Sequence, residues 1–137
     1  MKPAFSIPVR VYHQDTDAGG VVHHTSYLKF MERARSEWLR EIGFSQNELA
    51  TRMGIVFAVC SIKVDFVKPA RLDDRLEVTL NLARRGSASL TLDQEIWLDA
   101  ELLCRAEIKA ACLDASSFTP VVIPDPIVSR LDAGGTA

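Results

Sequence analysis

The sequence predicts an α+β fold in which one long antiparallel sheet wraps around one long helix. Three observations carry that prediction. Between Thr25 and Ile42 apolar residues recur at helical spacing. From Val56 to Cys112 the apolar period drops to two, the repeat of strands that bury one face. Finally, Arg85-Gly86-Ser87 and Asp99-Ala100 are short enough to join neighbouring strands as hairpins, which makes this part of the sheet antiparallel.

In chain order, Ile7 to His13 is rich in β-formers and reads as a first strand, with Pro8 arguing for a strand start or an edge. The helix follows, its stripe made of Tyr27, Met31, Ala34, Trp38 and Ile42 and flanked by Leu28, Phe30 and Leu39. Thr25 or Ser26 is expected to cap its start and Gly43 to close its end. Ser45 to Arg52 reads as a short second helix, with Ser45 as N-cap and Glu48 at the reciprocal capping-box position.

Beyond Gly54 the even-numbered residues carry the apolar face, in four runs within Val56–Phe66, Leu76–Leu82, Ala88–Leu92 and Leu102–Cys112. Odd positions such as Lys63, Asp65, Glu95 and Arg105 are mostly polar, so the opposite face meets water or a partner. Pro69 to Asp74 is a longer connection. Asp125-Pro126 is expected to cap a last helical turn ending near Leu131, and residues 132–137 to form a frayed tail. One helix covers only part of such a sheet, and the uncovered face and open edges predict a homodimer or larger assembly.

A chain of 137 residues fits one domain, 1–137, and 47% apolar with 25% charged residues is the make-up of an ordinary globular protein. A net charge of -2 gives no global pull towards nucleic acid or anionic membrane. Cys60, Cys104 and Cys112 are odd in number and lie in apolar runs, which predicts buried, reduced thiols in a cytoplasmic setting and no disulfide scaffold. The N-terminus lacks the pattern of a signal peptide, and no apolar run is long enough to span a bilayer.

The candidate chemistry is concentrated in Asp15-Thr16-Asp17-Ala18-Gly19-Gly20-Val21-Val22-His23-His24, between the first strand and the helix. Gly19 and Gly20 permit a tight turn or a close approach of ligand to backbone. Asp17 sits where an ionised carboxylate would face the unpaired N–H groups of a helix start, including that of His24. That pairing suits hydrolysis at a carbonyl, the carboxylate acting as general base or nucleophile and the N–H groups polarising the oxygen. The competing reading of Asp before Gly is a turn residue bonded to its own backbone, and it fits Asp15 better than Asp17.

His24 is expected to orient Asp17 or touch substrate, with His23 a weaker candidate. No metal site is expected, because His13 is the only further histidine and the cysteines lack CxxC spacing. A serine-hydrolase elbow and a phosphate loop are both missing. Arg84 and Arg85, with Gly86 and Ser87, form a compact candidate anion site to which Arg71 could add; otherwise they make a solvated turn.

The run Val9 to Leu28, followed by Phe30-Met31-Glu32-Arg33-Ala34-Arg35, resembles the Tol-Pal-associated acyl-CoA thioesterases of the hotdog superfamily, the YbgC type. More distantly it is similar to 4-hydroxybenzoyl-CoA thioesterase. Pro69 to Asp74 and Arg85-Gly86-Ser87 also match, so the resemblance covers about residues 8 to 114. It implies the hotdog fold, a sheet around a helix, and dimers that pair into a homotetramer. It implies an acyl-CoA thioesterase in which Asp17 is the catalytic carboxylate, His24 the active-site histidine, and the amide near His24 the donor to the thioester carbonyl.

By the same resemblance Arg84 and Arg85 fall where relatives hold the nucleotide phosphates of coenzyme A, and Gly20, His23, Tyr27, Arg71 and Ser87 are further candidate substrate-binding residues. No cofactor is implied, since coenzyme A belongs to the substrate. The resemblance further suggests acyl carrier protein and phospholipid-synthesis enzymes as partners, and a place in the cytoplasm or at the periphery of the inner membrane. The alternatives weighed against hydrolysis are a low-turnover module binding acyl thioesters or acyl carrier protein, and a hotdog hydratase acting on enoyl-CoA.

Overall fold

The computed structural model describes residues 3–135, and residues 136 and 137 of the expected tail lie outside them. Five strands, β1 Phe5–Arg10, β2 Ile55–Phe66, β3 Arg75–Arg85, β4 Ser89–Leu98 and β5 Glu101–Asp114, form one antiparallel sheet in the order β1-β3-β4-β5-β2. Three helices accompany it: α1 His24–Glu41, the short α2 Gln46–Glu48 and the C-terminal α3 Asp125–Gly135. This is the hotdog arrangement. No helix among the described residues is long and apolar enough to cross a membrane.

β1 pairs only with β3 and lies at an edge, where the missing N–H of Pro8 is tolerated. It ends at Arg10, three residues before the expected boundary, because His13–Asp15 closes into a single 3₁₀ turn. α1 buries Tyr27, Phe30, Met31 and Ala34 against Leu76, Val78, Ile96, Cys104 and Ile108 of the sheet. Its N-cap is His23 rather than Thr25 or Ser26: the His23 Nδ1 accepts from the Thr25 N–H at 3.2 Å. Ser45 caps α2 as expected, accepting from the Glu48 N–H at 3.1 Å, and a wider π-helical turn at Leu49–Met53 carries the chain to Gly54.

The even-numbered rule holds for β3, where Leu76, Val78 and Leu80 are buried, but it fails across half of β2. The register of β2 on β5 shifts between Val59 and Ser61, so Cys60 is an extra, bulged residue. N-terminal to it the core-facing residues are odd, since Ile55 is buried, Phe57 lies opposite Cys112 and Val59 opposite Ala110. Beyond it Ile62, Val64 and Phe66 face inward as expected, opposite Ile108, Ala106 and Cys104. Val56, Ala58 and Cys60 therefore turn away from the core, and Cys60 is exposed rather than buried. A second shift, between Ile96 and Trp97, buries Leu103 at 2% exposure and leaves Leu102 half-buried.

α3 runs to Gly135, well past Leu131, so the expected tail is helical for its first four residues. Ile123, Ile127 and Leu131 are each buried to 2% exposure or less, in a second cluster with Leu39, Leu80, Leu90 and Leu92. Among the described residues Thr79, Thr91 and Gln94 are the buried polar side chains of the sheet, and Gln94 is the deepest of them. Gln94, fully buried, donates to the Met31 carbonyl at 3.0 Å and accepts from Arg35 Nη1 at 2.9 Å, tying α1 to β4.

Replacing Gln94 by leucine strands the half-buried Arg35 and is expected to lower stability by about 1–3 kcal/mol in urea denaturation. Burial pushes the Cys104 thiol up to about 12 and raises Cys112 as well. Because the thiolate is the reactive form, both should resist thiol reagents at pH 8 until the chain unfolds, with Cys60 modified first.

Candidate active site

After β1 the chain folds back on itself in a miniature hairpin. The Asp17 N–H donates to the Val21 carbonyl and the His23 N–H to the Asp15 carbonyl, both at 2.9 Å, so Ala18-Gly19-Gly20 is the tip. Gly20, at φ +80°, donates its N–H to the Asp17 carbonyl at 3.1 Å. That φ is one a side chain would strain, which is why glycine closes the turn. The second arm is tied to the Pro69–Asp74 connection: the Val22 N–H donates to the Ala70 carbonyl at 2.9 Å, and Val21 pairs with Arg71.

Two carboxylates on this hairpin have different surroundings. Asp15 Oδ2 accepts the Tyr12 N–H at 2.9 Å and closes the 3₁₀ turn, a structural task. Asp17 is exposed at the tip, with Oδ1 accepting from the Gly19 N–H at 2.8 Å. The turn bond weighed against catalysis is thus present. It engages one carboxylate oxygen and fixes the side chain; among the described residues nothing donates to Oδ2.

The hairpin delivers the chain to α1. His23 satisfies the Thr25 N–H with its ring and the Ser26 N–H with its carbonyl (2.9 Å), so it acts as the helix cap while remaining exposed. His24 is the first helical residue, and among the described residues no group accepts from its N–H. A free donor therefore stands at the start of an 18-residue helix, where the partial positive charge of the macrodipole is concentrated. Its imidazole is exposed.

Tyr27 lies one turn further on and is 3% exposed. Its hydroxyl accepts the Ala70 N–H at 2.9 Å, and its ring meets Phe30 edge-on at 6.5 Å, so it braces the site from within. Burial raises its pKa, opposed by the Ala70 hydrogen bond.

Arg71 is exposed beside the hairpin, and its N–H donates to Asp74 Oδ2 at 2.9 Å. Arg84, Arg85 and Ser87 are elsewhere. They lie at or just past the far end of β3, nine to twelve residues beyond Arg75 and so roughly 30 Å away along the strand direction. Nor are the two arginines a compact pair. Arg84 pairs with Thr91 and Arg85 with the buried Leu90, so they leave opposite faces of the sheet. Arg85 turns towards α3, where Asp132 holds its Nε at 3.1 Å and its Nη2 at 3.4 Å.

Sequence periodicity put Phe66 in the core; its position beside His24 was missed. Its ring centroid is 4.9 Å from that of His24 and 5.5 Å from that of Tyr27, with 45% of the residue exposed. The signal lay in its place as the last residue of β2, level with the helix start.

Comparison with known proteins agrees with this fold. Residues 19–105 match the model of the thioesterase superfamily. The chain is 40% identical over 123 residues to the acyl-CoA thioesterase YbgC of Haemophilus influenzae, with 90% of each covered. It is 44% identical over 128 residues to the acyl-CoA thioester hydrolase YbgC of Escherichia coli O157:H7, covering 92% of this chain and 94% of the relative. Among solved structures, a probable thioesterase from Bartonella henselae superposes with a TM-score of 0.83 at 34% identity, over 87% of this chain and 98% of that one. A 1,4-dihydroxy-2-naphthoyl-CoA thioesterase from Synechocystis gives a TM-score of 0.86 at 26% identity, over 93% and 95%. The chain belongs to the thioesterase superfamily and, within it, to the YbgC type of acyl-CoA thioesterase, enzymes that hydrolyse thioesters.

Proposed function

We propose that this chain hydrolyses acyl-CoA at the start of α1, with Asp17 as general base and the His24 N–H as oxyanion donor. The observation that carries the reading is the unclaimed His24 N–H, at a helix N-terminus directly after the short hairpin that carries a solvent-open carboxylate. Water adds to the thioester carbonyl carbon while Asp17 takes its proton. Negative charge builds on the carbonyl oxygen and is met by the His24 N–H and the helix dipole. Collapse breaks the C–S bond; coenzyme A leaves as the thiolate and takes the proton from Asp17, and the acyl group leaves as the free acid. The Gly19 N–H on Oδ1 supports this role by directing the carboxylate without consuming its second oxygen.

A second copy completes the site in this reading. β2 is an open edge twelve residues long, with Val59 and Ile62 each more than 40% exposed. A long apolar edge of that kind calls for a covering strand. Antiparallel pairing of two β2 edges would turn the Arg84–Ser87 end of one copy towards the Asp17 end of the other. That supports one copy's bases as the phosphate contacts of its partner's site, although within one chain they are far from Asp17.

Asp17→Asn is expected to lower kcat on acyl-CoA by at least about 10²-fold in a free-thiol assay, the scale of general-base catalysis, and wild-type turnover would overturn its role. His24→Ala keeps the backbone donor and should lose less. For the shared site, Asp17→Asn and the double variant Arg84→Ala/Arg85→Ala are each expected to be impaired. Mixed oligomers of the two should regain activity, because one of their two sites receives neither defect. Failure of the mixture to exceed either parent, with mixed species verified by mass, would place each site within one chain.

A further inference from the structure

Phe66 is the large side chain at this site for which the reaction has so far had no use. As the last residue of β2, opposite the buried Cys104, it faces the helix side of the sheet. Its ring stands between a fixed partner and an open one. Tyr27, with an edge contact at 5.5 Å, is buried and held through its hydroxyl by Ala70. His24, at 4.9 Å and tilted by 46°, is exposed and owns the free N–H. Phe66 is thereby backed by the core on one side while nearly half of it remains open.

From this placement we infer that Phe66 sets the substrate class of the site. The acyl carbons next to the thioester carbonyl lie on its open face, and it selects uncharged, apolar acyl groups over those carrying a carboxylate within a few carbons of the thioester. The inference rests on the hydrolase reading above. A carbonyl oxygen bonded to the His24 N–H brings the carbonyl carbon to the residue whose ring Phe66 touches, so the acyl substituent falls beside the aromatic face.

Three effects disfavour a carboxylate there. The face of an aromatic ring is the negative end of its quadrupole. A carboxylate set against it sheds water without gaining a hydrogen bond. The Asp17 carboxylate, on the hairpin that leads into His24, adds like-charge repulsion. Of the nearby cations, Lys68 is already held by Glu101 at 2.6 Å. Arg71 is the competing cation at this end: capture of an acyl carboxylate by it would reverse the preference.

Butyryl-CoA and succinyl-CoA test this directly, because they differ in a terminal methyl against a terminal carboxylate on a four-carbon acyl group. The full-length enzyme is expected to favour butyryl-CoA in kcat/KM by at least about tenfold, the scale of one well-made apolar contact. Phe66→Tyr keeps the ring and should keep that ratio. Phe66→Leu and Phe66→Ala should lower it several-fold by slowing butyryl-CoA, whereas a loss of folded protein lowers both substrates alike and leaves the ratio unmoved.

Equal rates on the two substrates in the unmodified enzyme overturn the inference. So does an unchanged ratio in both Phe66→Leu and Phe66→Ala when Asp17→Asn is inactive, and in that case the hydrolytic site itself stands. Wild-type rates in Asp17→Asn instead remove the site and this inference with it.

Discussion

The functional end of the molecule depends on the backbone of one buried residue, Ala70. Its N–H donates to the hydroxyl of Tyr27 on α1, and its carbonyl accepts from Val22 on the hairpin that carries Asp17. Ala70 has no exposed surface, so both of its backbone groups would be left dry if either partner moved away. An unpaired buried polar group costs about 1–3 kcal/mol, which makes the angle between helix and hairpin stiff even though the hairpin tip is open to water. The same residue explains why the Pro69–Asp74 connection is more than a spacer. It joins two edge features, β1 and the end of β2, at the point where α1 begins.

The parts of the fold with strong periodicity were legible in the sequence. The helix over Tyr27 to Leu39 and the strands around Val78, Leu92 and Ile108 are where their apolar repeats put them, because burial on one face leaves a period that turns cannot imitate. The switch of facing inside β2 was hidden. Its bulge falls on Cys60, an apolar residue at the end of the continuous apolar run Ile55 to Val59, so the even-numbered pattern ran on through it unbroken. Only the end of α3 was hidden: its start at Asp125-Pro126 and the apolar residues Ile127, Val128 and Leu131 pointed to a last helical turn, but Asp132-Ala133-Gly134-Gly135 carries no apolar repeat to extend it.

The candidate site was legible as a place before it was legible as a set of roles. Two glycines and two acids before a helix announced a tight turn at a helix start. How the two acids divide depended on hydrogen bonds that spacing does not encode: Asp15 closes the 3₁₀ turn through the Tyr12 N–H, and Asp17 bonds Gly19 in the glycine turn with one oxygen and leaves the other open. His23 became the cap because its extended backbone at the helix start lets its ring nitrogen accept the Thr25 N–H, a role for which histidine is an unusual choice. Arg84 and Arg85 looked like a pair because they are adjacent in sequence; adjacency along a strand is what separates them.

The bulge at Cys60 also acts as a shim. Counting inward residues on either side of it, Phe57 and Val59 precede the extra residue and Ile62 and Val64 follow it, so the strand without Cys60 would alternate regularly and every side chain would keep its present face. What it would lose is the local bend and added twist that a bulge imposes. Since one end of β2 meets α1 through Phe66 and the other abuts the second core cluster through Ile55, that single surplus residue sets the skew between the two ends of the edge strand. Curvature here is thus adjustable by chain length alone, independently of which residues form the core.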